Sequence, residues 1–284
     1  MLESIGRSFE LVKTSWGILT GDKKLLLFPV LSGIVTLIVL ASFILPLLLS
    51  GTVFSQAPAG QVPGIVYLFI FYVACYFIAI FFNTGLITCV DARLRGRDAT
   101  VAEGLSNALR HAGSIVVWAI IAATVGVVLR AIGQRSGLVG KIAVAIAGGI
   151  WSFITIFVVP ILVLEDKGVF DAMRESVSLF RRTWGESVVG SVSIGLVFAA
   201  VLVLGLLGLA AALFTGNAAV LILAAALFLV LLVVAGVITS AMQGIFVVAL
   251  YTYARTGTVP RPFEKGVVEG AFFPREPAFG AGNI

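Results

Sequence analysis

With 284 residues, 60% of them hydrophobic and only 12% charged, the chain is too apolar for a soluble domain, and lipid is its solvent. The net charge of +5 comes from 19 Lys and Arg against 14 Asp and Glu, spread over short loops. That spread excludes a nucleic-acid-binding stripe, and the apolar runs leave no room for a separate catalytic domain.

A helix needs about 20 apolar residues to cross a bilayer. Six stretches qualify, at 25–49, 64–90, 114–132, 139–164, 187–214 and 218–250. The first begins too late and runs too long for a cleavable signal, so it reads as a retained span. The last exceeds the length of a span, so it tilts or continues toward Tyr253. The expected fold class is all-α, a six-span membrane domain over 1–254 followed by a tail over 255–284.

Ahead of the first span, Ile5, Phe9, Val12 and Trp16 recur at spacings of four, three and four, which makes one helical stripe. Glu3, Arg7, Glu10 and Lys13 occupy the other face. The stretch Ser8 to Gly17, SFELVKTSWG, aligns without a gap on Ser176 to Gly185, SVSLFRRTWG. There Met173, Val177, Phe180 and Trp184 repeat the spacing opposite Asp171, Arg174, Glu175 and Arg181. A weaker copy, Leu105, Leu109, Ala112 and Val116, lacks the Trp. Each copy predicts an amphipathic helix in the membrane interface, anchored by Phe9 and Trp16 or by Phe180 and Trp184, with the Trp where the chain turns into the bilayer. Since each precedes two spans, the chain reads as three parallel repeats, about 1–90, 100–164 and 168–254, and not as the inverted repeats common in secondary transporters.

Orientation follows from the cations. Sixteen of the 19 lie in the N-terminal segment, in the loops after spans two and four, and in the tail, together with all 14 acids. The opposite side has only Arg130, Arg135 and Lys141. The cation-rich side is expected to be cytoplasmic, with both termini there. The three outer cations can snorkel to lipid phosphate or form a positive mouth that attracts anions; the first is favoured because Arg and Lys are usual at span ends.

Candidate chemistry is sparse. Cys75 and Cys89 are fourteen residues apart in one span, about 21 Å along a helix, so they cannot bridge. The stretch Gly133 to Lys141 imitates a phosphate-binding loop but has Arg135 and Ile142 where Gly and Ser or Thr belong. The one histidine, His111, reads as a solvated or headgroup-facing imidazole and cannot build a His-based metal cluster. Glu165, Asp166, Asp171 and Glu175 stand among Lys167, Arg174, Arg181 and Arg182 and read as charge-balanced faces. No catalytic residue, metal site or cofactor is expected.

Intramembrane polar groups are Asn83 and Thr84 in span two and Thr239, Ser240 and Gln243 in span six. A packing role is favoured for them, with Asn83 bonding Gln243 if the two spans are neighbours, over ion or substrate contact. Small residues recur every four positions at Ala119 and Ala123, at Ala143 and Ala147, and at Gly236, Ser240 and Gly244, suited to close helix contact within or between subunits. The tail places Pro260, Pro262, Pro274 and Pro277 among phenylalanines that need burial, on the cytoplasmic face, the headgroups or a partner.

The repeated SFELVKTSWG and SVSLFRRTWG, the DKKLLLFPVLSG leading into span one and the TWGESVVG turn resemble uncharacterised prokaryotic multi-span membrane proteins grouped as a domain of unknown function. The resemblance covers nearly the whole length. It implies an integral protein of the prokaryotic cytoplasmic membrane without an assigned activity. The expected role is a non-enzymatic component that organises phospholipid or holds a partner membrane protein or a second copy of itself. The alternative is a channel or transporter with a pore in the bundle or on an oligomer axis.

Overall fold

The computed structural model describes residues 13–49, 62–258 and 260, and for 62–63, 65, 182–193 and 197 it describes the backbone alone. All regular structure among these residues is helical. A helix over 13–21 (α1) leads through a 3-10 turn, Lys23–Leu26, into α2 (Leu27–Leu49). There follow α3 (Val62–Leu94), α4 (Val101–Arg110), α5 (Ala112–Arg135), α6 (Leu138–Ile154), α7 (Val158–Leu164), α8 (Val169–Phe214) and α9 (Ala218–Thr256). Among the described residues six helical stretches are long and apolar enough to cross a membrane, and they coincide with the six expected from sequence.

Two compact units divide the chain. One is Lys24–Arg181; the other combines Met1–Lys23 with Arg182–Ile284. In the first, α3 is the central post, and α2, α4, α5 and α7 all pack on it, while α6 packs on α5. α2 is fixed on α3 by aromatic contact: Phe43 lies 5.0 Å from Tyr67 and 5.3 Å from Phe71 between ring centroids, and the Tyr67 hydroxyl donates to the Phe43 carbonyl at 2.5 Å. In the second unit, Gly205 of α8 faces the Phe228 ring of α9 so closely that a Cβ there would lie within 2.3 Å of two ring carbons. Asn217 caps the start of α9 by accepting from the Ala219 N–H, and Gly257 ends it in the left-handed conformation, φ 68°. The last span thus continues past Tyr253 to Thr256.

Two sequence expectations are corrected. Span four is not one helix: it breaks at Thr155–Phe157 between α6 and α7. The cause is Pro160, which has no N–H for the Ile156 carbonyl and whose ring would clash with it in a continuous helix. Conversely, the third amphipathic segment joins span five without a break in the backbone helix at Trp184: α8 counts 46 residues and contains no proline.

Along α4 and the start of α5, Leu109 and Val116 of the apolar stripe are exposed and Leu105 and Ala112 half-buried, while the row one residue earlier, Gly104, Ala108, His111 and Ile115, is buried. The first turns of α8 repeat this: Ala172, Ser176 and Leu179 are buried while Met173, Val177 and Phe180 are only half-buried. In lipid no hydrophobic force draws leucine toward protein, so small residues that permit close backbone approach take the inner face.

Candidate functional site

The described residues with most interlocking polar geometry form a collar where α4 lies across the end of α3. Thr100 starts α4 by accepting from the Glu103 N–H at 3.2 Å, a cap that satisfies one orphan amide. The helix then meets α3 glycine to glycine. A Cβ on Gly104 would stand 2.7 Å from the Gly85 carbonyl oxygen, 2.8 Å from the Phe28 ring and 2.9 Å from Cys89 Sγ. A Cβ on Gly85 would stand 2.5 Å from the same ring. Phe28 is buried in this wedge.

A polar thread runs beside the glycine contact. The Asn107 amide donates to Thr88 Oγ1 at 2.9 Å, and that hydroxyl donates to the Thr84 carbonyl at 2.9 Å. His111 is buried, contrary to the solvated imidazole expected from sequence. Its Nδ1 lies 2.9 Å from the Asn107 carbonyl and its Nε2 3.2 Å from the Asp166 carboxylate. Both ring nitrogens therefore face acceptors. Asp166 presents its carboxylate from a left-handed residue, φ 52°, where the chain leaves α7.

The break in span four is closed from the same side. Ser176 Oγ donates to the Ile154 carbonyl at 2.7 Å and accepts from the Phe157 N–H at 3.2 Å, so one buried hydroxyl serves two of the groups that the break frees. Phe180, one turn on, stacks on Phe153 with centroids 6.1 Å apart. Lys167 bridges Glu165 at 2.8 Å and Glu175 at 2.5 Å, and hydrogen bonding to Glu165 and then Glu175 holds its ammonium above the ordinary lysine range. Arg93 pairs with Asp98, Arg95 with Asp91 and Arg97 with Glu103 around the rim.

Of the other residues singled out from sequence, Trp16 is 46% exposed, next to the buried Ser15. Phe9 and the Trp184 side chain lie outside the described residues, as do Ile5 and Val12 of the N-terminal stripe and the phenylalanines of the tail. Thr84 is buried, and its hydroxyl, like that of Ser15, has no hydrogen-bond partner among the described residues. Asn83 is half-buried, whereas Ser240 and Gln243 are exposed. The outer cations Arg130, Arg135 and Lys141 are all exposed, and Arg130 donates to the Tyr72 hydroxyl of α3. Among the described residues no three His, Cys, Asp or Glu side chains gather as a metal site would require.

Sequence reasoning overlooked Gly85, Gly104, Thr88, Asn107 and Ser176. Signals were present: Thr100 and Glu103 have capping-box spacing, and Pro160 marks the break whose free groups Ser176 binds.

Six lipid-length apolar helices with buried polar junctions at one end define a multi-pass integral membrane protein. The sequence pattern of a family of unknown function, DUF6159, matches residues 62–260, and the chain belongs to that family. No curated protein and no solved structure matches it.

Proposed function

We propose that the protein is a non-enzymatic component of the prokaryotic cytoplasmic membrane whose interfacial helices organise phospholipid on the cytoplasmic side. Orientation rests on the sixteen cations against three, which put α4 and both termini in the cytoplasm. The observation that carries the role is the outward apolar face of α4. Its small residues are locked into α3, and Leu109 projects outward beside Arg110, a cation that suits anionic headgroups. Phe170, 67% exposed at the start of α8 near Arg174, extends the same pattern. The absence of a catalytic motif from the sequence is the basis for reading the protein as non-enzymatic, with no cofactor.

A nitroxide at position 109 tests this. With Cys75 and Cys89 first replaced by serine or alanine, Leu109→Cys is spin-labelled and the protein placed in bilayers. Strong relaxation by oxygen with little by a water-soluble nickel chelate is the expected result. The reverse pattern, a solvated label, sinks the reading; protection from both reagents replaces it with a covering partner membrane protein or second copy.

A second reading has one observation in its favour. The small-residue row Ala143 and Ala147 of α6 is exposed, the surface that helix association between copies would use. A homo-oligomer joined there could hold a channel on its axis, and ion flux in reconstituted vesicles abolished by Ala147→Leu would establish it.

A further inference from the structure

At the end of the bundle away from α4, α3 and α5 run antiparallel in a register fixed by two tyrosines. The Tyr76 hydroxyl lies against Gly126, 3.3 Å from where a Cβ would be. One turn farther out, Arg130 Nη1 donates to the Tyr72 hydroxyl at 2.5 Å. Arg130 is about 27 Å along α5 from Ala112, so the pair stands where the hydrocarbon of a bilayer about 30 Å thick gives way to headgroups.

The pair is chemically incomplete. A guanidinium has five N–H donors, and the bond to Tyr72 uses one. The tyrosine oxygen accepts that bond, which leaves its own proton to be donated elsewhere. Among the described residues no carboxylate pairs with Arg130, and the connecting segments 50–63, 133–141 and 215–217 contain no acid. A cation held at a lipid boundary without a counter-charge is costly, and one turn from Tyr72 on the same face of α3 the apolar Leu68 is exposed.

We infer that Arg130 and Tyr72 form a clamp for the phosphate of an anionic phospholipid in the outer leaflet. Arg130 supplies the charge-assisted donors that suit a phosphodiester, and Tyr72 both fixes the guanidinium and adds a neutral donor. Arg135 and Lys141, exposed on the same side with no acid among them, bias the headgroup toward a net negative one such as phosphatidylglycerol. The apolar flank gives its acyl chains a surface that a free phosphate ion would not need. The clamp is on the opposite side from the α4 collar and does not depend on the role proposed for it.

Native mass spectrometry of the full-length protein, from nanodiscs of phosphatidylglycerol and phosphatidylcholine in equal parts, tests the inference. Under activation that strips phosphatidylcholine, the wild type is expected to keep one phosphatidylglycerol. Arg130→Gln should lower the occupied fraction about tenfold and Tyr72→Phe about threefold, the order expected for a lost charged and a lost neutral hydrogen bond. Arg110→Gln, on the α4 side, should leave that lipid in place. Retention unchanged in both Arg130→Gln and Tyr72→Phe overturns the clamp; if Arg130→Gln does not fold, Tyr72→Phe decides alone. Loss of the lipid on adding inorganic phosphate, with phosphate bound in its stead, overturns the lipid assignment in favour of a soluble anion.

Discussion

The wedge between α3, α4 and α5 and the hairpin arm α6 use the same small residues to opposite effect. In α5, Ala119 and Ala123 are fully buried and Gly126 receives Tyr76; in α6, Ala143 and Ala147 at the same spacing are exposed. What differs is the neighbour. α5 lies along α3, whose face offers tyrosine at 72 and 76, whereas α6 packs on α5. Rows of small residues permit close packing; whether it occurs is decided by the shape of the facing helix.

The sharpest way to break the wedge is Gly104→Ala. The new methyl meets a backbone carbonyl at 2.7 Å, which cannot swing aside as the Phe28 ring can, so α4 must lift from α3. A loss of about 2–3 kcal/mol is expected, at the upper end of overpacking costs. The free energy of unfolding in bicelles measures it. The control is Gly113→Ala, which has nothing within 4 Å and should change stability by less than about 0.5 kcal/mol.

Next in size is Ser176→Ala, which leaves the Ile154 carbonyl and the Phe157 N–H without their shared hydroxyl. About 1–3 kcal/mol is expected, with faster hydrogen exchange confined to the break. Unchanged exchange at Phe157 would show that the break is held by Pro160 and packing alone. Thr88→Val follows at about 1 kcal/mol, since it keeps the shape but removes the acceptor of the Asn107 amide. Recovery by Asn107→Leu in the same chain would confirm that the cost is an unpaired polar group.

The spans were legible because their signal, a run of some 20 apolar residues, is local and needs no partner. The wedge was not, because its inner row contains Gly104 and a histidine, residue types that mark no core face in a sequence. Asn107 and Thr88 are nineteen residues apart, on different helices, and no periodicity brings them together. Pro160 was readable as a break, but which hydroxyl would close it was not, since Ser176 reaches back from the next helix. The outer cations were legible as a set, whereas the Arg130–Tyr72 pair depends on the antiparallel register of α3 and α5.

The exposed arm gives the fourth prediction, a contrast in sign of evidence more than size. Ala147→Leu adds volume where no described neighbour crowds it, so the single chain should change by less than about 0.5 kcal/mol. Ala119→Leu, in the buried row, should cost about 1–3 kcal/mol. If Ala147→Leu alters the oligomer distribution in nanodiscs and leaves monomer stability alone, the α6 row is an intersubunit surface.

The smallest effect belongs to Lys167, which joins Glu165 at the end of α7 to Glu175 on α8 with its side chain 37% exposed. Hydrogen bonds to those carboxylates raise its pKa in the folded protein. For a base, that sign means the stabilisation is fully present below the unfolded value of 10.5 and disappears only as pH rises through the folded value. Stability between pH 7 and 9 should therefore not depend on this lysine's titration, and Lys167→Met should lower the unfolding midpoint slightly and equally at both pH values. Added salt should shrink that difference, because water reaches the pair. A Lys167→Met penalty that matched Ser176→Ala and survived high salt would mean that the charged link, and not the buried hydroxyl, secures the broken span to its neighbour.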